Sequence, residues 1–299
     1  MTVTTKPIVT MFYSVEHHPG ITDRDAMLRY LGGNTGNLLF RYALQERIVD
    51  CSNCQILPLP STLDVFRSLD ARTCRQVLSS DLVIYPVANL LRPSKEFEAN
   101  PAVQAETEFV THFSQLFEGP FLVMGLGYQG RLRPEAVGTR DLHPLQVEML
   151  DALLQHTPGI TLRADTTRAV LREKEMFRHA RLEALGCPSL MISPHVDHGQ
   201  RMAGQAQQTV ITKIGLGLPS NPRGYAPLFE RLIQLAQDPR VHVVLQDASD
   251  IDACFAAGLP DERVHMFCDL SEWIAFLKSC DVCITARLHG AQVAVLAMT

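Results

Sequence analysis

Apolar runs of about five residues alternate along this chain with longer stretches in which apolar positions recur every three to four residues. The short runs at 8–12, 55–59, 81–85, 121–124, 160–162 and 189–192 are predicted strands. The spacing predicts helices over 37–48, 105–116, 144–156 and 166–185. The last has Asp165 as its N-cap and Gly186 with Pro188 as its stop. Polar residues without periodicity fill 198–209, after which the alternation restarts. Strands are predicted at 210–214, 241–245, 264–267 and 282–285, with helices at 226–235, 250–257, 271–278 and from about His289.

Continuously apolar strands, each followed by a helix, belong to parallel sheets covered on both faces. The predicted fold is therefore α/β: two Rossmann-like domains, 1–197 and 210–299, joined by a linker at 198–209. A cleft is expected between them at the C-terminal ends of the strands. The chain stops in an apolar, uncapped stretch at 291–299, so the second domain is expected to be incomplete.

Composition narrows the class. Hydrophobic residues make up 46% and charged residues 20%, enough to bury a core and to exclude disorder. The net charge of −5 is not the footprint of a general nucleic-acid binder. No apolar run approaches the roughly 18–20 residues of a membrane span. The expectation is a cytoplasmic protein without an integral membrane segment, with peripheral attachment to the inner membrane face left open. The pairs Cys51/Cys54 and Cys280/Cys283 are too far apart in sequence for one zinc ribbon. The second reads as part of a buried strand, and Cys51 and Cys54 read as loop residues without an assigned role.

Candidate chemistry lies at strand ends. Gly125-Leu-Gly127-Tyr-Gln-Gly130 fits a dinucleotide fingerprint in spelling. Arg131-Leu-Arg133-Pro134 intervenes where the helix should begin, and no acidic residue stands at the end of a following strand. Gly32-Gly33-Asn34-Thr35-Gly36-Asn37 precedes a helix and can offer backbone N–H groups to an anion or a sugar hydroxyl, or be a plain turn with an Asn cap. Thr285-Ala-Arg287-Leu288-His289-Gly290 follows a strand. There an arginine can fork onto a phosphate or carboxylate and a histidine can move a proton near neutral pH, unless the arginine caps a carboxylate and the histidine is buried. Thr161-Leu-Arg163-Ala-Asp165 has the same placement, and Lys213 and Arg223 can add charge. His195, Asp197 and His198 form a weak metal cluster on one loop, and His17-His18 reads as a surface pair. No serine-hydrolase elbow, zincin motif or Walker loop occurs.

The segment Asp281–Ala297, with Arg287-Leu288-His289-Gly290 at its centre, resembles the signature of polysaccharide pyruvyl transferases. Similar matches cover Gly32–Asn37, Gly125–Gly130, Leu162–Thr166 and Leu185–Pro194. The resemblance implies two domains similar to GT-B glycosyltransferases. It also implies transfer of the enolpyruvyl group of phosphoenolpyruvate onto two hydroxyls of a sugar, forming a ketal and releasing phosphate. His289 and Arg287 would then be catalytic. Arg163, Leu288, Gly290, Asn34, Gly36, Asn37, Gly127 and Lys213 would bind substrate. No metal or organic cofactor is implied, and the partners are phosphoenolpyruvate and a glycan acceptor, lipid-linked or free. Two alternatives stand beside this: a nucleotide-sugar glycosyltransferase on the same architecture, and a non-catalytic carbohydrate- or anion-binding relative.

Overall fold

The computed structural model describes residues 6–13, 20–31, 33–59, 70–87, 90–129, 141–157, 160–192, 211–219 and 226–297. The expected linker at 198–209 lies outside them, as do His17, His18, Gly32, Gly130, His195, Asp197, His198 and Arg223.

Ten strands are described: β1 Ile8–Phe12, β2 Gln55–Leu59, β3 Leu82–Pro86, β4 Phe121–Leu126, β5 Ile160–Leu162, β6 Leu182–Ala184, β7 Ile214–Gly217, β8 Val241–Val244, β9 Val264–His265 and β10 Val282–Thr285. The first six form one sheet in the order β2-β1-β3-β4-β5-β6, and the last four another in the order β10-β7-β8-β9. Every pairing is parallel. The protein is thus α/β, with two all-parallel sheets.

Burial explains the apolar runs. In β1, Val9 and Met11 pack with Leu44 and Ile84, while Phe12 joins a separate core with Tyr85, Phe113 and Phe121. A strand covered on both sides has no solvent face to mark with polar residues. Helix Pro144–His156 begins with a capping box: the His143 side chain accepts from the backbone, and the Gln146 side chain accepts in return from the His143 N–H.

The chain divides into two compact units, Met1–Ser14 with Leu44–Pro188, and Val15–Ala43 with Ser189–Thr299. The expected domain of 1–197 is therefore interrupted, because 15–43 clusters with the C-terminal part. The reason is packing. Leu39 is fully buried among Val244, Trp273, Leu277 and Val293, a burial that contributes about 1.5–3 kcal/mol. Arg24 reaches the Val264 carbonyl, and Tyr42 donates to Asp269 at 2.9 Å.

The predicted helix over 166–185 is three elements: an α-helix Asp165–Arg172, a 3-10 turn Glu175–Phe177 and strand β6. Ala164, not Asp165, occupies the cap position, and Asp165 pairs instead with Arg168. The expected strand at 189–192 is a 3-10 turn, Pro188–Ile192. The strand expected at 210–214 lies later, at β7, and the helix over 37–48 ends as α-helix at Ala43 and continues as a π turn, Leu44–Ile48.

Candidate functional site

An open parallel sheet binds ligands where its strand order reverses, outside the C-terminal ends of the strands. In the second unit that point lies between β7 and β10, and the Arg287–Gly290 segment occupies it. Ala286 N–H donates to the Gly217 carbonyl at 3.3 Å, and the Arg287 Nε donates to the Leu218 carbonyl at 2.6 Å.

Arg287 is not an open anion receptor. Its side chain is 6% exposed and holds the still more deeply buried Asp250 at 2.5 Å, with Asp247 at 3.6 Å from the other terminal nitrogen. The second Asp250 oxygen accepts from the backbone N–H groups of Gln246 and Asp247 at 2.8 and 3.1 Å. Burial pushes the Asp250 carboxyl up to about 6, against the opposing pull of Arg287 and the two N–H groups. The expected phosphate-holding role is thus replaced by an anchoring one: Arg287 ties β7, β10 and the helix carrying Asp250 together.

His289 sits in the first turn of helix Leu288–Ala297, partly exposed, with its ring edge-to-face against Phe40 at 5.5 Å. Its ring lies on Gly36. A Cβ at Gly36 would stand 2.1 Å from His289 Nδ1 and 2.8 Å from the Asn34 side-chain oxygen, so only glycine permits the contact. The Asn34–Asn37 loop is fastened to the same edge. Asn34 bridges to Asp247, Thr35 N–H donates to the Gln246 carbonyl at 3.1 Å, and Asn34 Oδ1 accepts from Gly36 N–H at 2.7 Å. The structure therefore brings together His289, Gly36 and Asn34, which are remote in sequence.

Gly290 and Gly217 are close-packing residues. A Cβ at either would fall within 2.9 Å of both the Thr285 hydroxyl and the Gln246 amide nitrogen. Leu288 is 52% exposed. Asn37 is buried, and its amide donates to the Leu31 carbonyl at 2.8 Å, which shapes the loop and leaves its side chain inside the protein. Lys213 precedes β7 and so stands at the opposite, N-terminal edge, about 16 Å along the strand direction from Leu218. There it donates to Ser279 at 2.8 Å and covers the Phe276 ring at 4.3 Å, away from His289.

Gly127 and Arg163 belong to the first unit. Gly125 has φ +73°, and a Cβ there would strike Pro188 at 2.6 Å. The Gly127 carbonyl accepts from Leu91 N–H at 3.1 Å, and Thr161 and Thr167 hydroxyls accept from Gly125 and Tyr128 N–H. The glycines make a tight turn held by threonines. Arg163 follows β5 and donates to Cys187 Sγ at 3.1 Å.

Sequence reading missed Asp250, which looks like any acidic residue early in an amphipathic helix. Its only advance signal is the Asp247 capping position three residues before it. Among the described residues, no three His, Cys, Asp or Glu side chains converge as a metal site requires, and no helix is long and apolar enough to cross a membrane.

Gly36→Ala is expected to swing the His289 ring out of place and cost about 1–3 kcal/mol through overpacking. Thermal unfolding of the variant checks the cost. A melting temperature equal to that of the parent would show that the loop yields freely.

No family model and no curated protein matches the chain. Among solved structures it is similar to one titled as the glycotransferase of kitacinnamycin, at 15% identity over 97% of this chain and 78% of that one, with a TM-score of 0.31. At that TM-score the likeness carries no functional argument, and the reading rests on the chain's own residues.

Proposed function

We propose that the protein is a transferase that moves the enolpyruvyl group of phosphoenolpyruvate onto two hydroxyls of a sugar or glycan. The observation that carries this reading is the contact of His289 with Gly36 at the β7/β10 reversal. It joins the Arg287–Gly290 segment, whose residues resemble pyruvyl transferases, to the Asn34–Asn37 segment, which shares in that resemblance.

In this reading the His289 imidazolium protonates the methylene carbon of the enol phosphate as one sugar hydroxyl adds to the neighbouring carbon, and the imidazole so formed takes up that hydroxyl's proton. The carbon–oxygen bond to phosphate then breaks, and the second hydroxyl closes the ketal while its proton leaves with phosphate. A side chain that holds and moves one proton near neutral pH suits the first step. Arg287 acts as a positioning residue, because its guanidinium is taken by Asp250. The first-turn N–H groups of helix Leu288–Ala297 are the donors assigned to the anionic end of phosphoenolpyruvate. The Asn34–Gly36 loop meets the sugar.

Thermal unfolding of the full chain with phosphoenolpyruvate, UDP and UDP-sugars tests the donor. Phosphoenolpyruvate at 100 times its dissociation constant is expected to stabilise by about 2.7 kcal/mol. A response to UDP compounds alone, or to none of these ligands, overturns the reading.

A further inference from the structure

We propose a second ligand site, in the first unit, at the C-terminal edge of its sheet between β1 and β3, for a sugar-like polyol that carries one anionic group. The strand order β2-β1-β3-β4-β5-β6 reverses between β1 and β3, so topology alone nominates this edge. Three side chains converge there from separate elements. Tyr13 directly follows β1, Tyr85 lies in β3, and Glu106 comes from helix Pro101–Leu116. Both phenols donate to the same carboxylate oxygen, Glu106 Oε1, Tyr13 at 2.6 Å. The other oxygen has no partner among the described residues. Tyr13 has φ +56°, the one positive φ of a non-glycine among the described residues, a conformation that costs of order 1–3 kcal/mol and clusters at functional sites.

Arg92, in the segment after β3, supplies the second half. Its Nε is buried without a hydrogen-bond partner, and among the described residues its guanidinium makes no ion pair. Arg92 is near enough to lower the Glu106 carboxyl electrostatically, yet the two do not join. Arg92 is half-buried with its Nε fully enclosed, and pairing it with the Glu106 carboxyl would lower the cost of desolvating both, so a purely structural cluster would be expected to close that pair. Held apart, they offer an anion receptor and a hydroxyl acceptor to one ligand. Burial raises the Glu106 carboxyl above its ordinary range, opposed by Tyr13, Tyr85 and Arg92. It therefore keeps a proton to higher pH than an exposed glutamate and can donate to a sugar hydroxyl as well as accept from one.

This inference does not rest on pyruvyl transfer, and its probes contain no enolpyruvyl group. Calorimetric titration of the full chain with glucose 6-phosphate and with glucuronate, against glucose and inorganic phosphate as single-group controls, tests it. At least one anionic sugar is expected to bind saturably, about tenfold or more tighter than either control, with Arg92→Gln and Glu106→Gln each weakening it about tenfold. Arg92 makes no hydrogen bond within the described protein, so Arg92→Gln is expected to keep the parental melting temperature. That variant decides alone if Glu106→Gln fails to fold. Absence of saturable binding of both anionic sugars up to about 10 mM, or unchanged affinity in Arg92→Gln, overturns the proposal.

Discussion

Asp250→Leu is expected to destabilise the second unit by about 3–5 kcal/mol, the cost of breaking a buried ion pair from one side. The substitution leaves the Arg287 guanidinium, 6% exposed, without its 2.5 Å partner, and orphans the Gln246 and Asp247 N–H groups. Arginine cannot shed its proton to escape. The reverse change is gentler, because in Arg287→Met the abandoned Asp250 can take up a proton. Its folded-state value of about 6 already lies above the 3.8 of an ordinary aspartate. A carboxyl raised on folding contributes stability that is fully present below about pH 4 and lost as pH rises through about 6, a difference of about 3 kcal/mol. The ion pair offsets part of that loss only where Asp250 is ionised. Arg287→Met should therefore lose more stability at pH 8 than at pH 5. Trp273, the single tryptophan, is 1% exposed in the second unit and reports its unfolding by fluorescence in denaturant. A loss below about 1 kcal/mol in Asp250→Leu, or equal losses at the two pH values in Arg287→Met, would contradict this account.

His289→Gln should lower the rate of phosphate release from phosphoenolpyruvate, with a sugar acceptor present, by about 10²–10⁴-fold, the usual share of a positioned proton-transfer group. Glutamine keeps much of the bulk against Gly36 and Phe40, so folding should survive and donor affinity should change little. A fall in kcat with unchanged KM is the signature of a group acting only as bonds change. Turnover within tenfold of the parent removes His289 from that role. Gly36→Ala separates position from chemistry, because it retains the imidazole and displaces it. A misplacement of about 1 Å can cost on the order of 10²-fold.

Several elements were legible in the residues themselves. β1, β2, β5 and β10 and helix Pro144–His156 stand where periodicity places them, because a short apolar run and an amphipathic repeat each carry a local signal, even for β2 and β10, which are only partly buried. β6 was not legible. Leu182-Glu-Ala is three residues at a sheet edge, and it is a strand because β5 offers a partner register, Ile160 opposite Leu182. Local pattern there favoured a helix, and tertiary pairing won.

The site divides the same way. The sequence by itself determined the α/β class, the parallel strands and the concentration of candidate chemistry at strand ends, since each follows from short-range spacing. Only the tertiary structure decided that residues 15–43 join the C-terminal unit, that His289 rests on Gly36, that Arg287 is held by Asp250 and that Glu106 gathers two tyrosines. Burial and pairing depend on contacts between distant residues, and a charge tells its role only when its partner is in place.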